Sequence, residues 1–426
     1  GSNSYNSSSL LKHCIVEKGS DYNLRAYKTQ EPFIIYSEFL DAGSSGINLE
    51  EADLSIEETN INNNGDRGMY LKSSSPSLIL VIMDGNGSTG MFYSTTDCSP
   101  TFYLCNISNC DYALGFSTSN RNFIEIGNGI TMDNVFAGAI MPGSTIDQDR
   151  TWGYVDFGYA ITGDIIIYDY NSTCRLTIEK GNILKFGEGA QLQIGDDSND
   201  GGELYAEGTP EENITFTSLN GNIGGWDGLV FEDGSDSYGS TSSLKNCIIE
   251  NGNGYNVFCE YTNQPVIDSC ILRNGNGYGI ECYNSSPSLS NTYFESNEGY
   301  GLHYNDPEYL TGVSNLTFEG NDIDGIALNG GYIDVDRFWP YIEDGYLILG
   351  NIWVYDYQSK CRLTIQEGST IKFAEGSQLL IGDDSNDGGE LYAEGTLEET
   401  ITFTSLNGNI GGWDGLVFED GSDSYG

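Results

Sequence analysis

The chain has 426 residues, in which 63 Asp and Glu face 17 Lys and Arg for a formal charge of −46. Negative charge on that scale repels phosphate backbones and anionic headgroups, which excludes nucleic acid and membrane surfaces as partners. The longest apolar run, LILVIM at 78–83, is far too short to cross a bilayer. The 56 Gly and 29 Tyr, with many Asn, Ser and Thr, favour turns and strands over helices.

The chain opens GSNSY, with no Met and no signal-peptide pattern, which suits a processed, excised or recombinant start. The same five letters nearly recur as GSDSY at 234–238, so the start reads as native sequence rather than a cloning scar. Gly1 to Ile47 align without a gap on Gly234 to Ile280 at an offset of 233, with Cys14 on Cys247, Tyr22 on Tyr255 and Pro32 on Pro265. Further along the offset is 187, placing Trp152 on Trp339. The offsets differ by 46, two steps of 23, so the first unit carries two extra short repeats. Residues 174–239 return at 361–426, letter-perfect from Ile214 to Gly239. The expected organisation is a first unit over 1–151 that lacks its N-terminal part, a complete 187-residue unit over 152–338 and a partial third over 339–426.

Within these units a shorter period is legible. CIIENGNGYNVFC from Cys247, CILRNGNGYGIEC from Cys270, TYFESNEGYGLHY from Thr292 and LTFEGNDIDGIAL from Leu316 follow at 22–24 residues; Gly46, Gly68 and Gly90 mark the same step earlier. Short alternating apolar runs are broken by N-G, G-N or S-x-P turns, and no helical period competes. Such a step is one coil of a β-solenoid, whose parallel strands stack about 4.8 Å apart. The spacing predicts Asn251 on Asn274, and Tyr255 on Tyr278 and Tyr300, as stacks inside the rod.

The pattern N-x-I-x-x-N-x-x-x-G-I with S-x-P turns resembles the right-handed parallel β-helix repeat of the pectin-lyase-like superfamily. LTIEKGNILKFGEGAQLQI, GELYAEGTPEENITFTS and GGWDGLVF are similar to the large secreted repeat proteins of that group found on microbial surfaces. The resemblance implies an all-β fold, a single continuous right-handed parallel β-helix, and an extracellular or cell-surface location. It implies no one activity, since this fold hosts lyases, hydrolases, adhesins and rods alike. Polygalacturonase-like members need clustered Asp, a His and an R-I-K tripeptide; here the only histidines are His13 and His303, and the nearest tripeptides are Arg175-Leu176-Thr177 and Arg362-Leu363-Thr364. Pectate-lyase-like members use calcium and a basic residue. Arg273 is the one candidate base weighed, and a solvated outward side chain is its expected role.

DDSNDGGELYAE, at 196–207 and 383–394, fits the calcium-loop template through Asp196, Ser198, Asp200, Gly201 and Glu207, and through Asp383, Ser385, Asp387, Gly388 and Glu394. Calcium is therefore the one cofactor expected, against the simpler reading of a solvated acidic turn in which ELYAEGT is the next strand. Cys247 with Cys270, and Cys259 with Cys282, fall on adjacent coils and are disulfide candidates. The matching first-unit positions are Cys14 with Ser37, and Ala26 with Leu49, which suits core slots and points to stacked free thiols. Cys98, Cys105 and Cys110 are near enough in sequence for a local bridge, and Cys174 and Cys361 lie a whole unit apart. Sequons at Asn6, Asn86, Asn106, Asn171, Asn213, Asn284 and Asn315 are glycosylation candidates. Trp152, Trp226, Trp339 and Trp413 are candidate platforms for surface glycans, with core stacking as the alternative.

Neither end carries an atypical capping repeat, and the text that would follow Gly426 in the repeat is the text from Ser7 onward. The expected function is therefore a non-catalytic extracellular structural protein, a solenoid that stacks head to tail on itself into a surface filament or layer. The alternatives are an adhesin or carbohydrate-binding surface protein, and a polysaccharide lyase or glycoside hydrolase. A fragment of a longer repeat protein would show the same ends.

Overall fold

Short strands separated at a recurring corner by a single left-handed residue build the coils of the clear short repeat. The computed structural model describes residues 8–121, 130–134, 137–357, 359–383 and 387–423. Between strands Leu10–Lys12 and Ile15–Glu17 the chain turns at His13 (φ 54°), and the same corner recurs at Tyr36, Glu58, Leu80 and Leu104. In the later coils it is made by Asn246, Ser269, Asn291 and Asn315. Asn enters this region cheaply because its short polar side chain bonds locally, whereas Leu and Tyr are strained there.

The chain packs as two compact units: 1–146 with 150–165 and 181–187, and 147–149 with 166–180 and 188–426. The repeat boundaries at 151 and 338 are a property of the sequence and are not where these units divide.

In the first unit the coils pair in parallel and in register. Leu24, Ile47, Met69, Met91, Leu114 and Ala139 form one inward column, and Val16, Phe39 and Ile61 start another. Ile47, Met69, Met91 and Leu114 are fully buried, and each such side chain contributes about 1.5–3 kcal/mol. The glycine step is explained by close approach: a Cβ at Gly46 would stand 2.9 Å from Gly68 O, and one at Gly68 would stand 2.5 Å from Gly90 O.

The second unit is built the same way. Leu229, Val257, Ile280, Leu302, Ile326, Tyr346, Ile371 and Phe403 form one inward column. Coils of 22–24 residues hold where the short repeat is clear, as between Val257 and Ile280. The duplicated stretch makes longer coils, with 37 residues between the paired Leu192 and Leu229. Among the described residues no helix is long and apolar enough to cross a membrane.

Two predicted stacks are corrected. Asn251 and Asn274 occupy left-handed corners (φ 67° and 53°), and the Asn251 amide turns to Thr217 Oγ1 at 3.0 Å. The interior amide ladder is instead Asn256, Asn297 and Asn321, with Nδ2 to Oδ1 distances of 3.1 and 2.8 Å. The intervening coil supplies Gly279, where a Cβ would stand 3.2 Å from Asn297 Nδ2. Tyr255 and Tyr278 are register neighbours and Tyr278 stacks on Tyr300 with centroids 6.0 Å apart, but on a half-buried outer flank rather than in the interior, and the Tyr255 ring lies on Phe258 at 5.0 Å.

Candidate functional site

The acidic loop does not assemble as the twelve-residue calcium template requires. Asp200 opens the extended strand Asp200–Glu207, so Glu207 stands about 23 Å further along at the usual rise per residue. There its Oε1 accepts from Ser243 Oγ at 2.8 Å. In the second copy Glu394 lies seven residues beyond Asp387, past the strand Asp387–Ala393, and is exposed; Ser385 lies outside the described residues. Burial first, and then the charges of Asp196 and Asp197, raise the Asp200 carboxyl above its ordinary range. Ser198 enters only through its carbonyl, which accepts from Ser237 Oγ at 2.7 Å. One oxygen of Asp200 and one of Asp387 are buried with no hydrogen-bond partner among the described residues. No group of three His, Cys, Asp or Glu in metal-binding geometry occurs among those residues. The loop does not fit a complete calcium site, and Asp383 and Asp387 meet only through a backbone bond of 3.3 Å.

None of the ten cysteines is in a disulfide. Cys259 and Cys282 are register neighbours, fully buried beneath Tyr304, and the Cys247 N–H points at Cys270 Sγ at 3.4 Å. Both disulfide candidates are thus stacked core thiols. Cys98, Cys105 and Cys110 are likewise buried and unbridged.

Of the sequons, Asn86 is corrected outright. Its side chain is buried in the interior ladder, donating to Ile61 O at 2.9 Å and accepting from Asn64, so it cannot carry a glycan in the folded chain. Asn171 and Asn315 are exposed, Asn106, Asn213 and Asn284 are half-buried, and Asn6 lies outside the described residues. Trp152, Trp226 and Trp339 are also corrected: all three are fully buried, and Trp226 donates to Glu250 O at 2.8 Å. Trp413 is half-buried, stacked on Phe373 at 4.2 Å.

Three arginines flagged by the sequence are held in outward ion pairs between coils. Arg273 Nε meets Glu250 at 2.7 Å, Arg175 meets Glu203 at 2.6 Å and Arg362 meets Glu390 at 2.6 Å. His303 is 5% exposed, lies against Tyr278 at 4.9 Å and contacts Asn329 Oδ1 at 3.2 Å. Burial holds its imidazole below the usual range.

A group of perturbed carboxyls lies on one outer face that the sequence did not single out. Phe258, Glu281, His303 and Ala327 form an outward column, with Glu232 and Glu260 on neighbouring coils beside it. Burial, and then the charges of Glu260, Asp196, Asp197 and Asp233, push the Glu232 carboxyl up to about 7. Burial also raises Glu281. Burial, and then the charges of Asp227, Glu281, Glu232 and Glu260, push the Tyr255 phenol up to about 12. Sequence period could not find this face, because 28 residues separate the paired Phe231 and Cys259 and the 23-residue step misaligns the two glutamates.

A family model described as right handed beta helix region matches residues 3–151 and 165–338, most of the chain. The chain belongs to the right-handed β-helix family. No curated protein and no solved structure matches it. The parallel registers of this β-helix agree with the pectin-lyase-like repeat type. Within the family, the buried tryptophans, the thiol column and the amide ladder are the interior furniture of a β-helix rather than parts of a site.

Proposed function

We propose that this β-helix is a non-catalytic extracellular structural protein whose copies stack head to tail into a surface filament or layer. The observation that carries the reading is a junction whose two sides occur twice in the sequence. Inside the chain, Tyr205–Glu207, Ile214–Phe216 and Leu229–Phe231 take Ser243–Lys245, Cys247–Ile249 and Val257–Cys259 as parallel neighbours. The first set recurs at Tyr392–Glu394, Ile401–Phe403 and Leu416–Phe418, and text related to the second recurs at Leu10–Lys12, Cys14–Val16 and Leu24–Ala26. Among the described residues these recurring strands have a parallel neighbour on one side, with Tyr392 51%, Phe418 60%, Leu10 59% and Ile15 66% exposed. Open, unpaired strand edges with matching side chains template further pairing, and a heterologous contact of this kind extends without closing.

The absence of a catalytic role is supported by Arg175, Arg273 and Arg362 being held in ion pairs with Glu. The extracellular placement rests on the likeness to secreted repeat proteins and on the strong negative charge. Light scattering behind size exclusion, with electron microscopy across a concentration series, tests the assembly. Rods that lengthen with concentration support it, and monodisperse short particles at high concentration oppose it.

A further inference from the structure

One of the two imidazoles is buried with an unmatched nitrogen and a carboxylate opposite it. His303 is 5% exposed, and its Nε2 lies 3.2 Å from Asn329 Oδ1. That amide oxygen only accepts, so the proton of the uncharged ring sits on Nε2 and the lone pair sits on Nδ1. Nδ1 is buried with no hydrogen-bond partner among the described residues, and it lies 3.8 Å from Glu281 Oε1. Two acceptors thus face each other with no donor between them. A buried acceptor left in that state costs about 1–3 kcal/mol.

The frame that carries this pair recurs along the chain, whereas the pair does not. Glu281 and His303 are register neighbours on the parallel strands Asn276–Tyr283 and Tyr300–Tyr304. At the repeat offset of 233 they match Asn48 and Tyr70, which are register neighbours too. The inward residues beside them stay apolar, with Ile280 matching Ile47 and Leu302 matching Met69. Both donors therefore occur together at one place on a common scaffold. The surroundings suit a cation: Glu260 pairs with Tyr283, two residues past Glu281. The strands Asn253–Glu260, Asn276–Tyr283, Tyr300–Tyr304 and Ile323–Leu328 carry no Lys or Arg to neutralise the carboxylates.

We propose that His303 Nδ1 and the Glu281 carboxylate bind a zinc-like divalent ion that ties two adjacent coils together. Zinc takes imidazole nitrogen and carboxylate oxygen at about 2.0–2.2 Å, which sets two such donors about 3.4–3.8 Å apart at angles of about 110–130°. The observed 3.8 Å falls at the wide end of that window. Asn329 fixes the tautomer as the outer partner of a metal-bound histidine does. An imidazole donor favours zinc, nickel and copper over calcium and magnesium, which take all-oxygen sites. With two protein donors the remaining positions go to water, so the site is a clamp of modest affinity. The inference stands apart from head-to-tail stacking.

The test is isothermal titration of the full chain with ZnCl2, in millimolar MgCl2 to occupy exposed carboxylates. It is run on a Cys14→Ser background, since Cys14 is the one cysteine that is not buried. The expected result is a zinc site whose affinity falls about tenfold or more in Glu281→Gln and in His303→Asn. Glu281→Gln is close to isosteric, so it decides the matter even where His303→Asn fails to fold, and circular dichroism verifies the fold of each. His13→Asn, which removes the other, exposed histidine, should leave the affinity unchanged. With CuCl2 as the probe, electron paramagnetic resonance should show imidazole nitrogen coupling that His303→Asn abolishes and His13→Asn keeps. No zinc bound in MgCl2, unchanged affinity in folded Glu281→Gln, or an equal loss in His13→Asn would each overturn the assignment.

Discussion

Asn297 is the centre of the interior amide ladder, and its removal gives the sharpest test of how the coils are held together. Its Oδ1 accepts from Gly275 N–H at 2.9 Å and from Asn256 Nδ2 at 3.1 Å, while its Nδ2 donates to Leu272 O at 3.2 Å and to Asn321 Oδ1 at 2.8 Å. Asn297→Ala leaves the buried Gly275 N–H without that acceptor, at about 1–3 kcal/mol, and the other bonds contribute about 1 kcal/mol each. Asn256 keeps Arg273 O, and Asn321 keeps the Asn297 backbone N–H, which limits the loss. The net is a destabilisation of about 3–5 kcal/mol. Because stability in a solenoid is a sum over neighbouring coils, the loss should be local. Hydrogen exchange resolved to residues 270–300, with chemical denaturation of the whole chain, measures it. A change below about 1 kcal/mol with Gly275 still protected would refute the ladder as a stabilising element.

Three further outcomes follow from particular side chains. Glu232 ionises near 7 in the folded β-helix against an ordinary 4.5, so its contribution is fully present below 4.5 and is lost as pH rises through 7. Discounted for its partial exposure, Glu232→Gln should stabilise the chain by about 1–2 kcal/mol at pH 8 and by nothing at pH 4, read from thermal unfolding at both values. Leu80 sits at φ 54° and is 42% exposed, and Leu80→Asn should relieve about 1 kcal/mol of backbone strain, read as a raised denaturation midpoint. Expressed in a cell that glycosylates Asn-X-Ser/Thr, the chain should carry no glycan at Asn86, while Asn171 and Asn315 are open to modification; peptide mapping decides.

Coil period, strand character and the duplicated module were legible in the sequence because each depends on local pattern: an apolar alternation, an N-G or S-x-P turn, a repeated text. What depends on register was not. Asn251 and Asn256 are both asparagines of NGNGYN, and only the three-dimensional path decides which turns inward. The tryptophans of GGWDG looked like surface platforms, but Trp226 finds an interior carbonyl at Glu250 for its indole N–H. The calcium template failed for a related reason, since it counts residues as if the loop doubled back, whereas Asp200–Glu207 runs straight as a strand. The acidic face around Glu232 joins residues from coils of unequal length, which no fixed spacing reveals.

The central claim, stacking of one copy on the next, fixes a register that can be read directly. Thr215 pairs with Ile248 inside the chain, so Thr402 of one copy should pair with Ile15 of another. Register neighbours on parallel strands lie about 4.8 Å apart, within the disulfide window. Mixing Thr402→Cys with Ile15→Cys chains under mild oxidation should give a covalent dimer mapped to that pair. Glu38, the neighbour of Ile15 one coil further in, should give none when Glu38→Cys replaces Ile15→Cys. Equal cross-linking by both partners, or none by either, would contradict the account.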